Sequence, residues 1–287
     1  MIIIKLTGGL GNQLFQYALG RRLSIDRDSP LKLDVTSFND GIRAYKLNKL
    51  RIIAEIANRE EISKFIYPYR RGFLNDLNDL YQTKIPYEKK RIVKEQSILY
   101  DSRILNGKRD IYLSGYWQSY KYFNAIFNKI RHEFSVINDP DEQNQELIQK
   151  IISEESVAIH FRRGDYVTNH NIRTCTPDYY AQAIELINKK SERPHFFIFS
   201  DDPDWVKNNF NFTGKKTYIN HNGSEKDYED LRLMSFCKHH IIANSTFSWW
   251  GAWLSDYKDK IIISPKNWFY DRPNNLVDLI PQNWIQL

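Results

Sequence analysis

Apolar residues recur along this chain in two rhythms: unbroken or alternating runs of four to six residues, and single positions spaced three or four apart. Ile2-Ile3-Ile4-Lys5-Leu6 predicts a strand and Gly8-Gly9-Leu10-Gly11-Asn12 a turn. Phe15, Leu19 and Leu23 predict a helix, and Leu31-Lys32-Leu33-Asp34 a second strand. The chain therefore opens as a βαβ unit. Between about 41 and 108 the pattern is polar, basic and weakly periodic, with short helical pieces. A strand is predicted over 110–117 and a helix over 120–134. The acidic, Gln-rich stretch 138–145 then changes both composition and charge sign, which predicts a boundary between domains 1–140 and 141–287.

The second half is more regular. Val157-Ala158-Ile159-His160, Phe196-Phe197-Ile198-Phe199, Thr217-Tyr218-Ile219, His240-Ile241-Ile242-Ala243 and Ile261-Ile262-Ile263 predict strands. Helices are predicted between them: one from Pro177 with Thr176 as its cap, one around Tyr228 to Cys237, and one through Trp249 to Leu254. Alternating strands and helices imply an α/β fold with parallel sheets covered on both faces.

Three polar clusters directly follow predicted strands: His160-Phe161-Arg162-Arg163-Gly164-Asp165, Ser200-Asp201-Asp202, and Asn244-Ser245-Thr246-Phe247-Ser248. In an open parallel sheet ligands bind just outside the carboxyl ends of the strands, so three such clusters predict one site. Paired arginines, paired aspartates and a Ser/Thr-rich helix start suit a nucleotide, because guanidiniums and helix N-termini take phosphate oxygens while carboxylates accept from ribose or base. Each cluster also has a plainer reading: an Arg162–Asp165 loop tie, a solvated turn at 201–202, and a helix cap at 244–246. Trp249, Trp250 and Trp253 are expected in the core, and His239 and His240 to be structural.

Composition narrows the classes. Only Cys175 and Cys237 are present, which argues against a disulfide framework or a thiolate metal cluster. No apolar run reaches the roughly 18 residues needed to cross a bilayer, and the start has no leader pattern, so a cytoplasmic location is expected. Residues 1–140 hold 24 basic and 15 acidic side chains, against 17 and 20 in 141–287. The aromatic-basic stretch 65–73, with Arg70 and Arg71, suits an anionic surface such as the inner face of a membrane. No nucleic-acid-binding motif accompanies it. Gly9 and Gly11 with Asp34 partly imitate a dinucleotide fingerprint, but Leu14 stands where the third glycine belongs.

The runs at 8–18, 160–166, 199–202 and 242–253 together resemble the motifs of glycosyltransferase family 11, the α-1,2-fucosyltransferases, and span nearly the whole chain. This resemblance implies a GT-B-like fold of two Rossmann-like α/β domains facing a central cleft, with an N-terminal acceptor-side domain and a C-terminal GDP-sugar-binding domain. It implies inverting transfer of L-fucose from GDP-β-L-fucose to O2 of a galactoside, in glycan or O-antigen biosynthesis, with no metal or cofactor required. Arg162 would neutralise the departing diphosphate, with His160 and Arg163 in support. Asp165 would organise the loop or act at the reacting centre. Ser200, Asp201, Asp202, Asp230, Asn244, Ser245, Thr246, Phe247 and Ser248 would hold guanosine and phosphates, and Gly9, Gly11, Asn12 and Gln13 would approach from the other domain. The expected partners are the GDP-sugar and a galactose-containing oligosaccharide, in lipid-linked form for a membrane-peripheral enzyme. Rival readings are a related GDP-deoxysugar donor such as GDP-colitose, a nucleotide-dependent oxidoreductase using Asp34, and a metal-dependent transferase using Asp202 and Asp204.

Overall fold

The computed structural model describes residues 1–41, 43–66, 85–164, 174–269 and 278–287. Asp165 and the basic stretch around Arg70 and Arg71 lie outside these residues. The chain divides into two compact units, Met1–Phe134 and Ser135–Leu287.

The first unit is built on β1 (Ile2–Lys5), β2 (Leu31–Asp34), β3 (Glu55–Ile56), β4 (Ile92–Lys94) and β5 (Ile111–Ser114), in the order β3-β2-β1-β5-β4. Every pairing among these strands is parallel, with Ile2 beside both Leu31 and Ile111. Ile2, Ile3 and Ile4 are fully buried because the central strand is covered on both faces. Helix α1 (Leu10–Asp26) runs between β1 and β2, and α2 (Arg59–Ser63) follows β3. The weakly periodic region thus supplies the two edge strands: β3 is only two residues long and exposed, which is why no strand pattern marks it.

The helix predicted over 120–134 is interrupted. Two 3-10 turns, Tyr120–Tyr122 and Asn124–Ile126, precede the short helix α3 (Phe127–Glu133). The break lets adjacent Tyr122 and Phe123 both be buried: Tyr122 packs on Tyr100 and Trp117, and Phe123 on Phe15. Glu133, 2% exposed, accepts from Tyr17 Oη at 2.5 Å and Arg21 Nε at 2.8 Å, which ties α3 to α1.

The second unit carries β6 (Ser156–Phe161), β7 (His195–Ser200), β8 (Lys215–Ile219), β9 (His239–Ile241), β10 (Ile262–Ser264) and β11 (Ile285–Gln286), in the order β11-β10-β9-β6-β7-β8, again all parallel. Relative to β6 this is the doubly wound order of nucleotide-binding sheets. Around them lie α4 (Glu142–Ser153), α5 (Pro177–Lys190), α6 (Pro203–Asn209), α7 (Asp227–Phe236) and α8 (Thr246–Leu254). Val157, Ile159 and Phe161 pack with α5 on one face, whereas Ala158, Phe197 and Phe199 pack with α4 and α7 on the other. Trp249, Trp250 and Trp253 are buried against one another, and Trp249 Nε1 donates to the Leu279 carbonyl at 2.9 Å. His239 Nε2 donates to Glu155 Oε1 at 2.9 Å while its Nδ1 accepts from the Ile261 N–H, and His240 Nε2 donates to the Met234 carbonyl, so both histidines are structural.

Removing the Glu133 carboxylate strands Arg21 and the Tyr17 hydroxyl. Glu133→Ala is expected to lower unfolding stability by about 3 kcal/mol, and Glu133→Gln by less because its amide oxygen still accepts, as read from urea midpoints.

Candidate active site

The second unit's strand order changes direction at β6: β7 and β8 lie on one side, β9 to β11 on the other. Loops leaving the carboxyl ends of β6 and β9 therefore part from each other, opening the crevice in which doubly wound sheets bind ligands. His160, Arg162 and Arg163 occupy one lip, and Asn244 to Ser248 the other.

The arginines are held by the next strand along. Because Phe161 is in register with Ser200, the residues after β7 lie beside those after β6. Arg162 Nη1 is 2.9 Å from Asp201 Oδ2, and the Arg163 N–H donates to Asp201 Oδ1 at 2.8 Å. Arg163 Nε reaches Asp202 Oδ2 at 3.2 Å, and its guanidinium stacks 3.4 Å above the centre of the Trp205 ring. Asp202 also caps α6 through the Trp205 N–H, while its own N–H donates to Ser200 Oγ at 2.9 Å. A Cβ on residue 164 would come within 2.5 Å of Asp201 Oδ2, so glycine is what lets the loop close onto that carboxylate.

Beneath the rim, α5 pins both lips to the core. Tyr180 Oη donates to the His160 carbonyl at 3.0 Å, and Tyr179 Oη to the Ile242 carbonyl at 2.6 Å. Asn244, also buried, donates to the Trp268 carbonyl at 3.1 Å. Ser245 is the N-cap residue of α8 and its side chain makes no capping bond. Ser248 Oγ donates back to the Ser245 carbonyl at 3.2 Å, and the Phe247 ring lies 5.7 Å from that of His160.

Electrostatics separate the roles. His160 is 5% exposed with its Nδ1 unpartnered, and burial, aided by Arg162, pulls its pKa down to about 3. The imidazole is therefore neutral near pH 7, and the positive charge of the rim comes from the arginines. Asp230, in the first turn of α7, accepts from Asn222 Nδ2 at 2.7 Å. Burial, reinforced by Asp227 and Glu229, pushes its carboxyl up to about 7.

At the corresponding rim of the first unit, Gly9 is the N-cap of α1 with open space where a Cβ would stand, and Gly11 is buried in the helix. Asn12 Oδ1 accepts from Gln118 Nε2 at 3.0 Å. Gln13 departs from the sequence expectation: its side chain is fully buried, donating to the Gly8 and Ala44 carbonyls and accepting from the Lys46 N–H, so it holds loops together instead of facing a ligand. Asp34 is also committed, to Tyr112 Oη at 2.5 Å and the Thr36 N–H at 2.9 Å, which removes the ribose partner that a dinucleotide reading requires. Asp202 is engaged with Arg163 while the Asp204 side chain is 90% exposed, so the two do not form a carboxylate pair. Among the described residues no three His, Cys, Asp or Glu side chains come together as a metal site. Tyr179, Tyr180, Trp205 and Asn222, absent from the sequence expectation, complete the support of this site.

Two Rossmann-type parallel sheets, the second with an arginine pair at its switch point, place the chain in the GT-B-like class. The sequence matches Glycosyl transferase family 11 over residues 1–287, and the chain belongs to that family. It is 35% identical to an alpha-1,2-colitosyltransferase of Escherichia coli, over 100% of this chain and 99% of that protein. It is 32% identical to the O-antigen biosynthesis glycosyltransferase WbnK of Escherichia coli, over 98% of this chain and 99% of that one. In fold it is similar to the NodZ alpha-1,6-fucosyltransferase soaked with GDP-fucose, with a TM-score of 0.50 and 12% identity, over 88% of this chain and 92% of that chain.

A carboxyl with a raised pKa stabilises the fold while protonated, and that contribution is lost as pH rises from the unfolded value near 4 through about 7. Asp230→Asn, which stays neutral, is therefore expected to gain on wild type by roughly 1–2 kcal/mol between pH 4.5 and 8. Melting temperatures of the two proteins across that range check it; parallel curves would refute the assignment.

Proposed function

We propose that this glycosyltransferase moves L-fucose from GDP-β-L-fucose to O2 of a galactoside, inverting the anomeric centre to give an α-1,2 linkage. The observation that carries the reading is the paired arginine rim at the switch point of the second sheet, held by Asp201 and Asp202. In the transfer the bond from the fucosyl C1 to the diphosphate oxygen breaks as that from acceptor O2 to C1 forms, and the acceptor proton leaves to a base. Charge collects on the departing GDP. Arg162 meets it, supported by Arg163 and by the positive end of α8 at Ser245 and Thr246. His160 supports the diphosphate as a neutral group. Ser200, Asn244, Phe247, Ser248 and Asp230 line the nucleoside side, and Asp165 organises the loop or acts at the reacting centre. Asp201 and Asp202 act through the arginines they hold.

On this reading the second unit takes the donor, and the first unit takes the acceptor with Gly9, Gly11 and Asn12 at its rim. No metal or cofactor takes part. The colitosyltransferase relative favours a second donor, GDP-L-colitose, which differs from GDP-fucose by one hydroxyl. The deciding assay offers both donors to the purified chain with a panel of β-galactosides, before and after exhaustive EDTA treatment. Transfer from GDP-fucose more than tenfold faster than from GDP-colitose, unchanged by EDTA, is expected; the reverse donor ratio moves the chain to the second reading. Arg162→Lys is expected to lose activity by a factor on the order of 10²–10³, because a point charge cannot fork onto phosphate oxygens. Turnover within tenfold of wild type would remove Arg162 from this role.

The basic excess of residues 1–140 supports a lipid-linked acceptor at the cytoplasmic face of a membrane. Weak binding to anionic vesicles, lost at high salt, is expected in sedimentation assays; equal recovery with neutral vesicles counts against it.

A further inference from the structure

The first sheet has its own switch point, between β1 and β5, and the turn that follows β5 there is built in an uncommon way. Trp117 has φ of +56°, in the left-handed region that bulky L residues avoid, and it is 2% exposed. One carboxylate holds the backbone in this shape: Glu95 Oε2 accepts from the Tyr116 N–H at 2.7 Å and Oε1 from the Trp117 N–H at 2.9 Å. Burial raises the pKa of that carboxyl even against these two bonds. The approach is so close that a Cβ on residue 115 would sit 2.3 Å from Glu95 Cβ, which makes Gly115 obligatory. Gln16, fully buried, donates to the Gly115 carbonyl at 3.0 Å and accepts from the Thr7 N–H at 3.0 Å. Gln118 reaches Asn12 across the same rim. The turn is thus tied to residues following both β1 and β4.

All this order surrounds a side chain that is left outside. Tyr116 is 47% exposed, whereas Trp117 beside it fills the core. A tyrosine needed for packing would be buried, and an idle surface residue would not need a left-handed neighbour clamped by a partly buried acid. We propose that Tyr116 is a saccharide platform: its ring takes the apolar C–H face of the acceptor sugar, while the amides of Asn12 and Gln118 meet hydroxyls at the sugar's edge. A pyranose has such a face and a rim of hydroxyls, so an exposed ring on a held backbone, two residues from the tethered Gln118 amide, matches its chemistry. The proposal rests on the acceptor-side reading of the first unit and adds a residue that reading lacks.

The test uses the full chain with lactose as acceptor. Tyr116→Ala is expected to raise the lactose KM at least tenfold while the donor KM and the GDP-induced rise in Tm stay within twofold of wild type. Tyr116→Phe, which keeps the ring, is expected within threefold of wild type. A lactose KM within twofold for Tyr116→Ala, or equal damage in both variants, overturns the platform. Saturation-transfer NMR with lactose and no donor separates this from the transfer reading. A wild type that is stabilised by GDP yet transfers nothing refutes galactoside transfer alone. The platform then stands if lactose is saturated by wild type and not by Tyr116→Ala, and falls if lactose shows no saturation or equal saturation in both.

Discussion

The candidate site depends on holding two adjacent guanidiniums in place at the rim of a sheet. Neighbouring arginines repel one another and each loses about 2 kcal/mol of rotamer freedom when ordered, so left alone they would wave in solvent. The parallel register of β6 and β7 resolves this, because it sets Asp201 and Asp202 against Arg162 and Arg163 one strand away. Trp205 then gives the second guanidinium a surface to lie on. The pairs are partly solvent-exposed, so their contribution to stability is small; what they fix is geometry. For a reaction that must meet charge as it forms, fixed geometry is the useful quantity.

A second layer turns that local order into rigidity. The hydroxyls of Tyr179 and Tyr180 reach up from α5 to carbonyls on β6 and just beyond β9, the two strands that flank the switch point. Both rings are buried in the cluster that includes Val157, Ile159 and Phe161, so the core packing of one sheet face and the position of the rim are the same structural fact. A side chain that packs and donates at once does two jobs that separate residues would do less rigidly.

How much of this could be read from sequence follows from where the information sits. The strands of the second sheet were legible because β6 and β7 are buried on both faces and read as unbroken apolar runs. β3 and β4 are edge strands of two and three residues, β3 exposed and β4 burying only Val93, too short for a period to mark them. The helix over 120–134 misled because its spacing is helical while the burial of both Tyr122 and Phe123 demands a break. Gln13 is hard to place from sequence for a related reason: a Gly-Asn-Gln turn has the same composition whether its amides face a ligand or its own loops. Glu95, Trp205 and Asn222 act through partners distant in sequence or across a loop, which no local pattern reveals.

Charge balance suggests how binding and turnover are divided. Each arginine of the rim lies against a carboxylate and His160 is neutral, so the positive charge that the guanidiniums bring is partly offset by their partners. On the proposed reading, a diphosphate here would share guanidiniums that already have partners, and a guanidinium suits that because it holds several donors in one rigid fork. Ground-state attraction is thereby moderated. When the glycosidic bond breaks, the bridging oxygen gains charge that it did not have in the bound donor, and donors already in place respond to that increment without reorganising. Interactions that strengthen only as the bond breaks raise turnover, whereas those equally strong with the intact donor merely tighten its binding. On the proposed reading, pairing the arginines with aspartates would shift their effect from the second kind toward the first.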